Sequence, residues 1–120
     1  MDRTDLPGVV AAHIAAVNAF DLDGIAATFH DDAVVNDVHR EFAGTASIRE
    51  WIAHEIVGDR VTMDVIDVRH HHGQVIVSAR YDGEYDKTNL PAELVLTNYF
   101  SVEDGKITTL IVVRNTPAPY

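Results

Sequence analysis

Four strand-like stretches follow one another from Arg60 to Asn115, and they narrow the possible folds more than any other feature of the chain. "RVTMDVIDVRH", "QVIVSARYDGEY", "ELVLTNYFSV" and "KITTLIVVRN" are rich in β-branched and aromatic residues, with turn signals at "HHG" and "EDG". Strands joined this closely form a meander. In the last two, Leu94, Leu96 and Phe100 alternate with Val95 and Tyr99, and Ile107 and Ile111 with Leu110 and Val112, so both faces need cover. Helices can cover one face. A second copy of the chain is the most economical cover for the other, so a homodimer through the sheet is expected.

The helices lie ahead of the strands. Leu6, Val9, Val10, His13, Ile14 and Val17 recur at helical spacing and predict one amphipathic helix from Leu6 to Phe20. Asp21 can cap a short second helix through "LDGIAATF", ending at Asp31 and Asp32, and the strand "AVVNDVH" follows at once. "GTASIREWIAHEI" predicts a third helix, capped by Thr45 or Ser47, with Glu50 completing a capping box and Gly58 as the stop. Helices first and a meander afterwards describe a single α+β domain over residues 1–120. Its expected form is a cone-shaped curved sheet, mixed but mostly antiparallel, with three N-terminal helices enclosing a pocket.

Charge restricts the partners. Nineteen acidic residues against 9 basic ones give a net charge of −10, and the basic residues are scattered, so nucleic acid and anionic membrane surfaces are disfavoured. No apolar run approaches the roughly 20 residues of a membrane span. The start "MDRTDLPG" is acidic and lacks a secretory pattern, so a cytoplasmic location is expected. There is no Cys, hence no disulfide and no thiolate chemistry. The expected ligand is a small apolar molecule, and the tail "NTPAPY" is expected to be a loose end.

Within "AVVNDVH", strand alternation points Asp37 to the same side as Ala33 and Val35, the side that meets the core. A carboxylate there is at an open rim, paired with a donor such as Arg40, or placed in a cavity as a general base among neighbours such as Val35 and Trp51. His13 lies in the apolar stripe of the first helix between Val10 and Val17. Its ring needs a partner: a ligand oxygen, Asp37 or a core group. Asn98 shares a face with Leu96 and Phe100 and could donate to a developing oxyanion or satisfy a backbone group. Trp51, Met63 and Phe100 read as cavity lining or plain core, and His54 as facing the cavity or water. His70, His71 and His72 cannot converge from one strand beside a turn, so no metal site is expected, and no cofactor.

The segments "AAVNAFDLDGIAATFHDDAVVNDV" and "GTASIREWI" resemble the nuclear transport factor 2-like superfamily, in its SnoaL-like and ketosteroid isomerase-like branch. The resemblance covers nearly the whole chain. It implies that Asp37 stands where ketosteroid isomerases keep their proton-shuttling aspartate, with His13 and Asn98 at the positions of the oxyanion-hole tyrosine and protonated aspartate. Phe20 stands where those enzymes often have a smaller residue and could close the pocket. The turn after Asp37 is shorter than theirs, and the hairpin "YDGEYDKTNLPAE" longer. The implied activity is cofactor-independent movement of a proton on an apolar carbonyl compound, with Asp37 as base and His13 and Asn98 holding the enolate. A non-catalytic binding or accessory protein is the alternative. A dehydratase, cyclase or epoxide hydrolase is a third reading, for which no Arg is expected on an inward face.

Overall fold

In the computed structural model, which describes residues 6–88 and 90–114, the first helix forms where the apolar spacing requires it. Helix α1 spans Gly8–Asn18 and buries Val10, His13, Ile14 and Val17 on one stripe. The Asp21 carboxylate accepts from the Gly24 N–H at 3.0 Å and starts α2, Leu22–Ala26. Strand β1 is Phe29–Asp37, and a turn at Val38 and His39 leads into β2, Arg40–Ala43. Helix α3, Gly44–Trp51, continues as a π-helical segment over Ile52–Val57. Strands β3 (Thr62–His71), β4 (Gln74–Asp82), β5 (Leu94–Glu103) and β6 (Lys106–Arg114) follow.

The six strands form one sheet in the order β2-β1-β6-β5-β4-β3. All neighbours are antiparallel except β1 and β6, which run parallel, so the sheet is mixed. Register shifts within the β3, β5 and β1 pairings bend the strands, which is how an antiparallel sheet acquires its curvature. Its inner face carries Ala33 and Val35 of β1, Val75, Val77 and Ala79 of β4, Leu96 and Phe100 of β5, and Leu110 and Val112 of β6, all buried. Helix α1 packs on β3 and β6, and α3 on β1, enclosing the core from one side. The end of α1 is pinned to the sheet's outer strand. Asn18 donates to the Met63 carbonyl at 3.0 Å and accepts from the Met63 N–H at 2.7 Å, as a strand neighbour would.

The α+β class and the three helices agree with the sequence, but several boundaries differ. Helix α2 stops at Ala26, and β1 begins at Phe29, so Asp31 and Asp32 lie within the strand. No side chain caps α3, because it starts at Gly44, where φ is +83, ahead of Thr45 and Ser47. Gly58 does follow the helix, though for space: a Cβ there would collide with the carbonyls of Ala53 and His54. Strand β2 was not expected. Its turn places Val38 and His39 at φ 48 and 73, the twist of a two-residue hairpin, but with none of the Asn or Gly that usually marks one. The expected turns at His72–Gly73 and Asp104–Gly105 share that positive-φ geometry. The strand expected over "QVIVSARYDGEY" ends at Asp82. The tail "NTPAPY" lies outside the described residues. No described helix is long and apolar enough to cross a membrane.

Candidate functional site

A cavity of about 250 Å³ opens between the helices and the inner face of the sheet. Its walls are mostly apolar: Val17 and Ile25 from the helices, Val61 and Met63 at the start of β3, Leu94, Leu96, Leu110 and Val112 from the sheet. The half-exposed side chains Arg40, Glu55, Tyr85 and Leu90 mark its mouth, and buried His13 and Asn98 line its interior.

Asp37 is the last residue of β1 and points inward, as the alternation requires. Two donors meet at one of its oxygens. Trp51 Nε1 donates to Oδ2 at 3.0 Å, and Arg40 Nη2 donates to the same atom at 3.0 Å. The hairpin explains the second contact, because its register sets Arg40 directly opposite Asp37. Arg40 also donates through Nη2 and Nη1 to the two oxygens of Glu55, at 2.6 and 2.8 Å. This carboxylate partner holds the guanidinium above its ordinary pKa. Two directional donors on the lone pairs of Oδ2 hold the carboxylate in one plane, the partly buried Trp51 bond more strongly than the Arg40 bond, which solvent screens.

His13 is 3% exposed. Phe29 and Phe100 meet its ring edge-to-face, with centroids at 5.4 and 5.5 Å. Its tautomer follows from its neighbour. The Thr28 hydroxyl gives its one hydrogen to the Ile25 carbonyl at 2.6 Å, so at 3.1 Å from His13 Nδ1 it can only accept. Nδ1 therefore carries the proton and Nε2 is a bare acceptor. Burial lowers the pKa of His13 from 6.5 to about 4, so the ring is neutral at neutral pH. On the sheet, Tyr81 donates to Asn98 Oδ1 at 2.8 Å, and Asn98 Nδ2 donates to the Val77 carbonyl at 3.2 Å. Burial pushes the Tyr81 phenol above its ordinary pKa, so it keeps its proton.

One cavity thus gathers Asp37, His13, Asn98, Trp51 and Met63. Four other expected pocket residues lie elsewhere. Val35 and Phe100 are fully buried in the core behind the wall, and Phe20 stacks under Arg60 with its ring 4.0 Å from the guanidinium carbon, so it does not fill the cavity. His54 lines a separate surface depression with Phe42 and Glu50. His13 differs from expectation in polarity, offering the cavity an acceptor where a donor was expected. The expectation of no inward Arg is also corrected: β2 turns Arg40 into the mouth. Tyr81, Thr28 and Glu55 were not singled out from sequence. Tyr81 could have been, since it shares the strand phase of Val77 and Ala79; Thr28 and Glu55 need the tertiary structure. Among the described residues, no group of three or more His, Asp or Glu could hold a metal ion.

Known proteins place this arrangement in a family. The sequence profile of the SnoaL-like domain matches residues 10–110. Among solved structures, the chain is similar to a candidate polyketide cyclase from Sinorhizobium meliloti (24% identity, TM-score 0.82), with 94% of this chain and 100% of that one covered. It is similar to SalBIII, an epoxide hydrolase/cyclase-like enzyme of pyran ring formation in salinomycin (21%, 0.78), covering 90% and 88%. A protein of ketosteroid isomerase-like fold from Catenulispora acidiphila also matches (19%, 0.75), covering 89% and 85%. At these identities the structures establish the fold, and the profile match over most of the chain establishes membership: the chain belongs to the SnoaL-like domain family.

Proposed function

We propose that the chain is a small-molecule enzyme that moves a proton on an apolar carbonyl compound, with Asp37 as the general base. One observation carries the reading. Asp37 sits at the mouth of an apolar cavity with Trp51 and Arg40 both on Oδ2, and neither donor occupies Oδ1. A carboxylate held in plane with one oxygen available is suited to taking a proton from a substrate C–H. The carbonyl oxygen that gains charge lies only two bonds from that carbon, so its donor must stand beside the base. Arg40 keeps two hydrogens for that need, on Nε and Nη1, beyond those its bonds to Asp37 and Glu55 use; His13, whose proton is committed to Thr28, has none. The names of the cyclase and the epoxide hydrolase/cyclase-like neighbour support a catalytic use of this kind of pocket.

A second reading has its own observation. Arg40 lies between two carboxylates, Asp37 and Glu55, an arrangement that can activate a water while donating to a leaving oxygen, as epoxide opening or dehydration needs. Exchange in deuterated water over a panel of apolar ketones and epoxides separates the readings. Proton movement predicts α-deuteration that falls by about 10²- to 10⁴-fold in Asp37→Asn. Undiminished exchange in that variant would sink it. Opening of an epoxide with oxygen taken from water favours the second reading, and saturable binding with no conversion favours a carrier. The outer face of the sheet, where Val95, Tyr99, Ile111 and Val113 are only half-buried, supports the homodimer expected from sequence.

A further inference from the structure

We infer that the interior of the cavity holds a subsite for a hydrogen-bond donor, and that the ligand is an apolar molecule carrying a hydroxyl group set against Nε2 of His13. The inference rests on the reading above, since it names a second group on the substrate of that same site.

The argument follows the hydrogens. Thr28 spends its one hydrogen on Ile25 and so forces the proton of His13 onto Nδ1. Nε2 is left with a lone pair and no hydrogen-bond partner among the described residues. Yet no buried side-chain nitrogen or oxygen among the described residues lacks a partner, so Nε2 is not sealed in the core. Its ring lines the cavity, and the cavity is where Nε2 is open. Tyr81 gives its only hydrogen to Asn98, and so it too can only accept. Unspent donors lie at the other end, on Nε and Nη1 of Arg40. A ligand that satisfies both ends places an acceptor at the mouth and a donor inside.

Chemistry narrows the donor. A bare carbonyl or ether would set lone pair against lone pair at His13. An ammonium group would have to shed its hydration among Val17, Ile25, Leu96 and Leu110, beside a ring that carries no charge. A hydroxyl is neutral, donates one hydrogen and loses little on entering an apolar wall.

The test compares 2-naphthol with its methyl ether, 2-methoxynaphthalene, which has the same rings and no donor, by fluorescence titration or calorimetry. The wild-type protein should prefer the naphthol by about tenfold, the size of one neutral hydrogen bond. His13→Phe, which keeps the ring-to-ring packing, should bind both alike, and Asp37→Asn should retain the preference. Equal binding by the wild type overturns the inference. So does a preference that survives in His13→Phe but vanishes in Asp37→Asn, since the hydroxyl would then sit at the mouth. Nitrogen-15 spectra of the wild-type imidazole give a check that needs no variant: a proton on Nε2 overturns the inference, and a bare Nε2 that shifts when naphthol binds supports it. A preference that holds while Asp37→Asn leaves turnover intact defeats the proton-transfer reading alone.

Discussion

Lowering the pH should weaken this protein through one residue, and the size of the effect follows from its burial. The pKa of His13 falls from 6.5 to about 4 in the folded chain, with burial as the cause. Between those values the unfolded chain binds a proton on this residue and the folded chain does not, so acidification favours unfolding. Above pH 6.5 the residue is neutral in both states and contributes no pH dependence; below about 4 the loss levels off. Linkage over this interval gives a loss of about 2 kcal/mol by pH 5 and about 3 kcal/mol by pH 4. Against a typical total of about 5–15 kcal/mol, that is a large fraction. Urea denaturation from pH 7.5 to pH 4 on the wild type and His13→Phe measures it. Every other ionisable group is common to the two proteins and cancels in the difference. The wild type should lose stability relative to the variant as pH falls. A flat difference curve would refute the reasoning, because it would mean that His13 is hydrated or partnered when charged.

Other consequences can be checked with less effort. Asn18→Ala removes both hydrogen bonds that tie α1 to Met63, and should cost about 1–2 kcal/mol in urea denaturation while loosening the cavity wall that Met63 forms. Replacing Val38 and His39 with Asn and Gly should stabilise the chain by about 1–2 kcal/mol, since a β-branched residue at φ 48 is strained and the new pair favours that turn; a lower urea midpoint would contradict the strain. Ile111→Lys on the outer face should shift sedimentation from dimer to monomer with the cavity intact; an unchanged dimer would place the interface elsewhere.

How much of this was legible in the sequence depended on how local the cause was. The stripe Val10, His13, Ile14 and Val17, and the turns at His72–Gly73 and Asp104–Gly105, are set by neighbours in the chain and were readable from spacing and residue type. The inward direction of Asp37 was readable too, from alternation alone. The Val38–His39 hairpin was not, because neither residue favours positive φ and the turn is imposed by pairing between β1 and β2. Without that hairpin, Arg40 could not be seen facing the cavity. Trp51 was read as apolar, since periodicity counts its rings and not its indole N–H, which proves to hold Asp37. The polarity of His13 depended on Thr28, fifteen positions away and outside the helix.

The parallel pairing of β1 with β6 has a consequence for how the site comes into being. Asp37 is held in register with Val112, near the far end of the chain, and the Val38 N–H donates to the Val112 carbonyl at 3.0 Å. Such non-local pairing is slow and pays its loop entropy before it gains contacts. On the ribosome β1 would wait, already synthesised, until the last strand emerged, with its apolar face exposed meanwhile. A chain that ends after β5 would contain every polar residue of the cavity and still lack the strand that seats Asp37. The order of synthesis therefore leaves the half of the cone that carries Asp37 to be assembled last.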